Sequence, residues 1–222
     1  KKIWKGSKAV VANSQGLKDL AQKTNPGQEI MIIHNGIDIN KFVGKKQERK
    51  RENQKLILIS TGRLIERKGY LYLIEAISKM KNIELQLIGS GDLEKELKKK
   101  AKGFNSDVKF FGKRSHCEVA NFLREADVFV LPSLNEGMSN SILEAMACGL
   151  PIITTDTGGT KELIQDNGFI VKKEDSKELK EKIEEYLKNE NLLLEHGRNS
   201  RGIAEKMQWS NVAKNYFELY ND

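Results

Sequence analysis

Cysteine, histidine and long apolar runs are what this 222-residue sequence is short of. Its two cysteines, Cys117 and Cys148, stand in separate segments without ligand spacing. This argues against a disulfide framework and makes a reduced, cytoplasmic setting the expectation. The three histidines, His34, His116 and His196, are scattered and no Asp-x-Asp pair occurs, so no metal site is expected. No apolar run reaches the length needed to cross a bilayer, and no signal peptide is expected. Lys and Arg total 38 against 31 Asp and Glu, a net charge of +7. Lysines are interleaved with glutamates, as in KEDSKELKEKIEEYLKNE, and such mixtures form solvated helix faces. No basic stripe alternates with aromatics, so nucleic acid is not an expected partner. Anionic substrates, or peripheral contact with an anionic inner membrane face, fit the charge equally well.

What is present is a regular alternation. From Lys55 onward, short β-branched runs recur at 55–61, 83–89, 107–112, 127–133, 151–155 and 168–171. Most are nearly continuous in apolar character, as strands covered on both faces are. Helical patterns fill the intervals at 68–80, 92–103, 115–126, 139–149 and 159–166, and three more follow at about 176–189, 191–206 and 209–220. Strand and helix alternating in this way predict an α/β fold, a doubly wound parallel sheet of about six strands with helices on both faces. No internal repeat or low-complexity tract interrupts it.

The first part of the chain reads differently. KAVVANS and SQGLKDLAQKT suggest a strand and a helix, EIMIIHNGID a second strand running into a turn, and GKKQERKRENQ a charged loop. The chain starts KKIWKG without methionine. Residues 1–28 are therefore expected to be the remnant of a preceding domain, 29–54 a connection, and 55–222 the main domain.

In doubly wound sheets ligands bind beyond the carboxyl ends of the strands, which directs attention to the loops GRLIERKG, GSGDLE, GKRSHC, LNEGMSNS and DTGGT. GRLIERKG lacks the GK[ST] of a phosphate-binding P-loop, and in GSGDLE Glu94 stands where a dinucleotide fingerprint needs its third glycine. Arg63 and Lys68 suit a diphosphate, the arginine as a planar fork and the lysine as a point charge. The competing reading makes them solvated charges at a helix start, but cations there oppose the helix dipole unless an anion relieves them.

In EGMSNSILEAMACGLP a turn opens a helix near Ser139 or Ser141 that ends at Cys148-Gly149. Amides around Asn140 and Ser141 could hold a phosphate. Glu144, one turn in, would then lie near whatever that phosphate carries, and Glu136 could accept from a second polyol. The competing reading is a capping box, because Ser141 and Glu144 have its spacing. Met138 is expected to pack, and Met146 and Ala147 to face the core.

The series NGID, GRLIERKG, LIGSGDLE, KFFGKR, ADVFVLPSLNEGMSNSILEAMACGLPIITTDTGGTKELI and a late Trp209 helix resembles the C-terminal half of family 4, or group 1, retaining glycosyltransferases. That resemblance covers nearly the whole chain. It implies the GT-B architecture of two Rossmann-like domains facing a cleft, this chain being the nucleotide-sugar-binding half. By the same resemblance, Arg63 and Lys68 neutralise the donor diphosphate and Glu136 touches the transferred sugar. Gly62, Gly137, Met138 and Ser139 line the pocket, and Asn140 and Ser141 offer amides to phosphate. Glu144 takes the ribose, and the Gly112-Lys113-Arg114 turn, with Lys113, lies beside the base. The substrate implied is a UDP- or GDP-linked hexose, with no cofactor and no metal, for an acceptor in glycan, lipid or polysaccharide biosynthesis. The acceptor would be handled by the missing N-terminal domain, so this piece alone is expected to transfer sugar poorly or not at all. Two alternatives stay open: a non-hydrolysing sugar-nucleotide epimerase or phosphorylase on the same scaffold, and a non-enzymatic flavodoxin-like module.

Overall fold

The computed structural model describes residues 4, 6–44 and 55–221. Two short strands, β1 (Val11–Ala12) and β2 (Met31–Ile32), flank helix α1 (Gln15–Thr24) and pair in parallel. The main sheet follows, made of β3 (Leu56–Thr61), β4 (Ile83–Ile88), β5 (Val108–Gly112), β6 (Val128–Leu131), β7 (Ile152–Thr155) and β8 (Gly168–Val171). Between and after them run α2 (Tyr70–Ala76), α3 (Glu94–Gly103), α4 (His116–Glu125), α5 (Asn140–Ala147), α6 (Thr160–Leu163), α7 (Ser176–Lys188), α8 (Glu190–Lys206) and α9 (Trp209–Asn221).

The six strands are all parallel in the order β5-β4-β3-β6-β7-β8, so the chain winds outward from β3 and then returns to start again at β6. Strands β6 and β7 are buried at every position, which is why their sequences read as unbroken apolar runs rather than alternating ones. One face of the sheet packs Leu56, Leu58, Leu85 and Leu87 against α2, α3 and α7. The other packs Ile59, Ile88, Phe129 and Leu131 against α4, α5 and α8.

Three expectations are shortened by local geometry. The helix expected over 68–80 is a 3-10 turn at Glu66–Lys68, then α2, which stops at Ala76 ahead of left-handed residues Lys79 (φ 72°) and Asn82 (φ 60°). Lys68 therefore precedes the helix instead of lying in it. The helix expected over 159–166 keeps only Thr160–Leu163, because Asp166 turns left-handed (φ 55°) before β8. The strands expected in KAVVANS and EIMIIHN shrink to two residues each, having only each other to pair with. The charged loop expected at 44–54 lies, from residue 45 on, outside the described residues.

The N-terminal segments are docked on the main sheet's ligand end. Glu162 of α6 accepts from the Gln15 amide (2.7 Å) and meets His34 Nε2 at 2.6 Å. The Ile37 N–H donates to the Met207 carbonyl at 2.9 Å, and Gly36 leaves room for the Trp209 ring, which a Cβ there would meet at 2.6 Å.

Candidate functional site

The loops after β5, β4 and β3 are laced side by side through their backbones. Gly89 N–H donates to Gly112 O (2.8 Å), Gly62 N–H to Ile88 O (2.9 Å) and Leu64 N–H to Ser90 O (2.9 Å). The approach is close enough that a Cβ on Gly89 would stand 1.8 Å from the Gly62 carbonyl oxygen, so no other residue fits. Across the point where the winding reverses, Leu134 N–H donates to Arg67 O at 2.7 Å. Gly69, left-handed at φ 66°, passes so near Pro132 that a Cβ would lie 2.0 Å from its carbonyl oxygen. These contacts fix the loop carrying Arg63 and Lys68 against the loop carrying Glu136.

Together the loops border a cleft of about 740 Å³ at the carboxyl ends of the strands. Every residue given a place in the site from the sequence lines it except Gly112 and Gly137. A Cβ on Gly137 would lie 3.0 Å from Leu17 of α1, which places this glycine against the N-terminal unit. Arg63, Arg67, Lys68, Lys113 and Arg114 face the cleft with only Glu136 and Glu144 as acids, so its field is positive. Arg67, Ser90 and His116 are additions. His116 begins α4 directly beyond the end of β5, and that position was the available signal, although the scatter of histidines argued against it.

Lys68 is not a solvated charge. It is 9% exposed, and its ammonium meets Glu136 Oε1 at 2.5 Å, while Ser133 Oγ donates to the same oxygen at 3.1 Å. An ammonium has three donors, so the Glu136 contact leaves two. Arg63 and Arg67 stand exposed at the rim.

Helix α5 begins at Asn140 with Ser139 as its N-cap, and among the described residues no side chain caps its first turn. The Ser139 and Ser141 hydroxyls bond each other at 2.9 Å instead. The capping box available to Ser141 and Glu144 is therefore not made, because both residues lie inside the helix. Arg201 of α8 binds the Ala147 carbonyl at 2.6 Å, so a cation closes the carboxyl end while the amino end keeps unclaimed N–H groups facing the cleft. Glu144 is 13% exposed on its side chain, and its carboxylate lies 3.5 Å from His116 Nδ1. Burial pushes its pKa from the ordinary 4.5 up to about 7, with Lys41 pulling the other way. Chemically, the cleft offers buried and exposed cations, a free helix start and two carboxylates placed to accept from hydroxyls. Among the described residues no group of three or more His, Cys, Asp or Glu is arranged to hold a metal ion, and no helix is long and apolar enough to cross a membrane.

Comparisons with known proteins agree with this geometry. The family model for glycosyl transferases group 1 matches residues 41–202. An uncharacterised glycosyltransferase of Methanocaldococcus jannaschii is 31% identical over 195 residues, covering 86% of this chain and 53% of that protein, so the chain spans about half of its relative. Among solved structures, the sucrose-phosphate synthase of Thermosynechococcus elongatus superposes with a TM-score of 0.88 at 24% identity, over 99% of this chain and 59% of its own. HepE of Anabaena, solved in complex with UDP and glucose, gives 0.83 at 22% identity, over 97% and 63%. The sheet and its helices are those of one half of a GT-B fold. With a family model matched over most of its length, this chain belongs to the group 1 glycosyltransferases.

Proposed function

We propose that the cleft binds a nucleoside diphosphate sugar and that the chain is the donor half of a retaining hexosyltransferase. The observation that carries this reading is the convergence of buried Lys68, exposed Arg63 and the uncapped start of α5 on one cleft. HepE, which shares the fold, is solved with UDP and glucose, and that supports the same ligand class here.

Breaking a glycosyl phosphate bond leaves the electron pair on the departing diphosphate. Fixed cations and helix-start amides stabilise that charge without reorganising, which is how a site of this kind lowers the barrier. Lys68 and Arg63 meet the phosphates, with Gly62 permitting close approach, and the Asn140 and Ser141 amides receive the remaining oxygens. Glu136, held by Lys68 and Ser133, accepts from hydroxyls of the transferred sugar, beside Met138 and Ser139. Glu144 accepts from the ribose diol, and Lys113 borders the base. In this reading the side-chain cations do the neutralising, so no metal is required, and the two glutamates bind hydroxyls rather than acting as a glycosidase pair. The acceptor belongs to a partner domain, of which residues 1–28 are the remnant and 29–54 the connection, on the cytoplasmic side of the membrane.

Titration calorimetry with UDP, GDP and ADP tests the reading. One of these nucleotides is expected to bind. Lys68→Ala should weaken it by about 1.5–3 kcal/mol, the value of a partly buried charged hydrogen bond, and Glu144→Ala should weaken it as well. Unchanged affinity in both variants would overturn the assignment.

A further inference from the structure

The start of α5 is flanked by two acceptor oxygens that would repel an anion, the Met138 carbonyl and the Asn140 side-chain oxygen. Both are taken by one residue from a distant segment. Asn35, just beyond β2, donates Nδ2–H to Asn140 Oδ1 at 2.8 Å and to Met138 O at 3.4 Å. Its backbone N–H faces Met138 Sδ at 3.3 Å, and its Oδ1 accepts from Asn13 Nδ2 at 3.3 Å. The orientation of all three amides follows from one fixed point. A backbone carbonyl only accepts, so Asn35 must turn its NH₂ toward Met138; Asn140 must then present its oxygen, and Asn13 its nitrogen.

This matters because of what Asn140 would do if released. Asn140 is the first helical residue, one past the Ser139 cap, so its carboxamide oxygen, once released, is free to turn over the cleft and stand in front of the first-turn backbone N–H groups, where it repels an anion. Those N–H groups are the ones left unclaimed at α5. Held by Asn35, the oxygen stays off them, and the Met138 carbonyl is likewise engaged away from them.

We propose that Asn35 is a positioning residue for the donor diphosphate: its carboxamide engages the two oxygens flanking the α5 start and so keeps that helix end open to an anion. The inference rests on the reading that phosphate is bound there. It also makes the β1–α1–β2 unit part of the donor site, since Asn13 on that unit holds Asn35 in turn. Asn13 Oδ1 itself is buried without a hydrogen-bond partner, 3.6 Å from where a Cβ on Gly137 would stand.

The test titrates the chain with pyrophosphate and UDP, using uridine followed by ligand-observed NMR as the phosphate-free control. Asn35→Asp keeps the shape but turns an acceptor onto both oxygens and adds a negative charge. It should weaken pyrophosphate and UDP by about 10- to 100-fold, as expected where charged hydrogen bonds to phosphate are lost, and leave uridine unchanged. Asn35→Ala should weaken them by about 3- to 10-fold, the scale of one neutral hydrogen bond. In an Asn140→Ala background, where no carboxamide is left to release, Asn35→Ala should cost less. Thermal melts establish that each variant is folded, and the double variant is compared with Asn140→Ala alone rather than with the parent.

The proposal is overturned if folded Asn35→Ala binds pyrophosphate within twofold of the parent, or if uridine weakens in step with UDP. Failure of the underlying reading has a different signature, which is Lys68→Ala leaving pyrophosphate and UDP affinity unchanged. If Lys68 matters and Asn35 does not, only the present inference falls.

Discussion

At the start of α4, Ser115 and Glu118 close on one another. The serine hydroxyl accepts from the Glu118 amide at 3.3 Å and the glutamate accepts from the Ser115 amide at 2.9 Å. At the start of α5, Ser141 and Glu144 have the same spacing and do not meet, because the helix begins one residue before the serine. Two consecutive helices thus carry one sequence pattern and use it differently. In α4 the backbone's orphan donors are satisfied by the chain itself, and bonding to the Ser115 backbone and hydroxyl holds Glu118 below the usual carboxylate pKa. In α5 the donors are left over, and the glutamate is buried with its pKa raised. A helix start that forgoes its own cap, above a buried carboxylate, gives up stability that binding can recover.

Closing α5 artificially should have the largest effect. Ser139 already has the extended backbone of a cap residue (φ −84°, ψ 115°), so Ser139→Asp would supply the missing side-chain acceptor and place a negative charge in the anion's position. We expect UDP affinity to fall by about 3 kcal/mol or more while the melting temperature holds or rises, since an aspartate cap contributes about 1 kcal/mol. Calorimetry and a thermal melt on the same sample decide it. A variant that still binds UDP would show that the two helix starts do not differ in function.

Removing the buried charge comes next. Glu144 titrates near 4.5 when unfolded and about 7 when folded. Between these values the unfolded chain is ionised and the folded one keeps its proton, so stability falls as pH rises from 4.5 through 7 and stays low above. Glu144→Gln should therefore raise stability by about 2 kcal/mol at pH 8 and change it little at pH 4.5. It should also weaken UDP. Glu118→Gln should do the reverse, losing stability only above its lowered pKa and leaving UDP affinity intact. Denaturant melts at the two pH values separate the cases.

The smallest difference is between the serines. Ser115→Ala removes a working cap and should cost about 0.5–2 kcal/mol of stability, whereas Ser141→Ala should cost under about 0.5 kcal/mol. Equal losses in matched urea titrations would mean that α5 is capped after all.

Much of the scaffold could be read from the sequence because burial on both faces leaves an unbroken apolar mark. All six main strands lie where their runs stand, within about two residues at the ends. What the runs do not carry is strand order. The adjacency of β3 and β6 brings Lys68 onto Glu136, 68 residues away, and no periodicity announces that contact. The site was legible as a set of loops, since ligand-bearing loops follow strand ends, and the glutamate pair and basic residues were found in that way. His116 and Arg67 were passed over because single charges at loop edges carry no pattern. Asn35 was visible only as a letter of NGID; the role proposed for it depends on the segment after β2 meeting the start of α5, a tertiary fact. The capping-box ambiguity at Ser141 could not be resolved from spacing alone, because Ser115 has the same spacing.

Strand order also dictates when the cleft can exist. The seam between β3 and β6 is tied by Ile57 and Asp127, separated by 70 residues, and closing so long a loop is entropically slow. A chain that has assembled only β3 to β5 has its arginine-bearing loop but no α5 and no Glu136, and so nothing to receive a diphosphate. On the proposed reading, ligand stabilisation falls on the return journey: a nucleotide in the cleft would lengthen the native lifetime without hastening its formation.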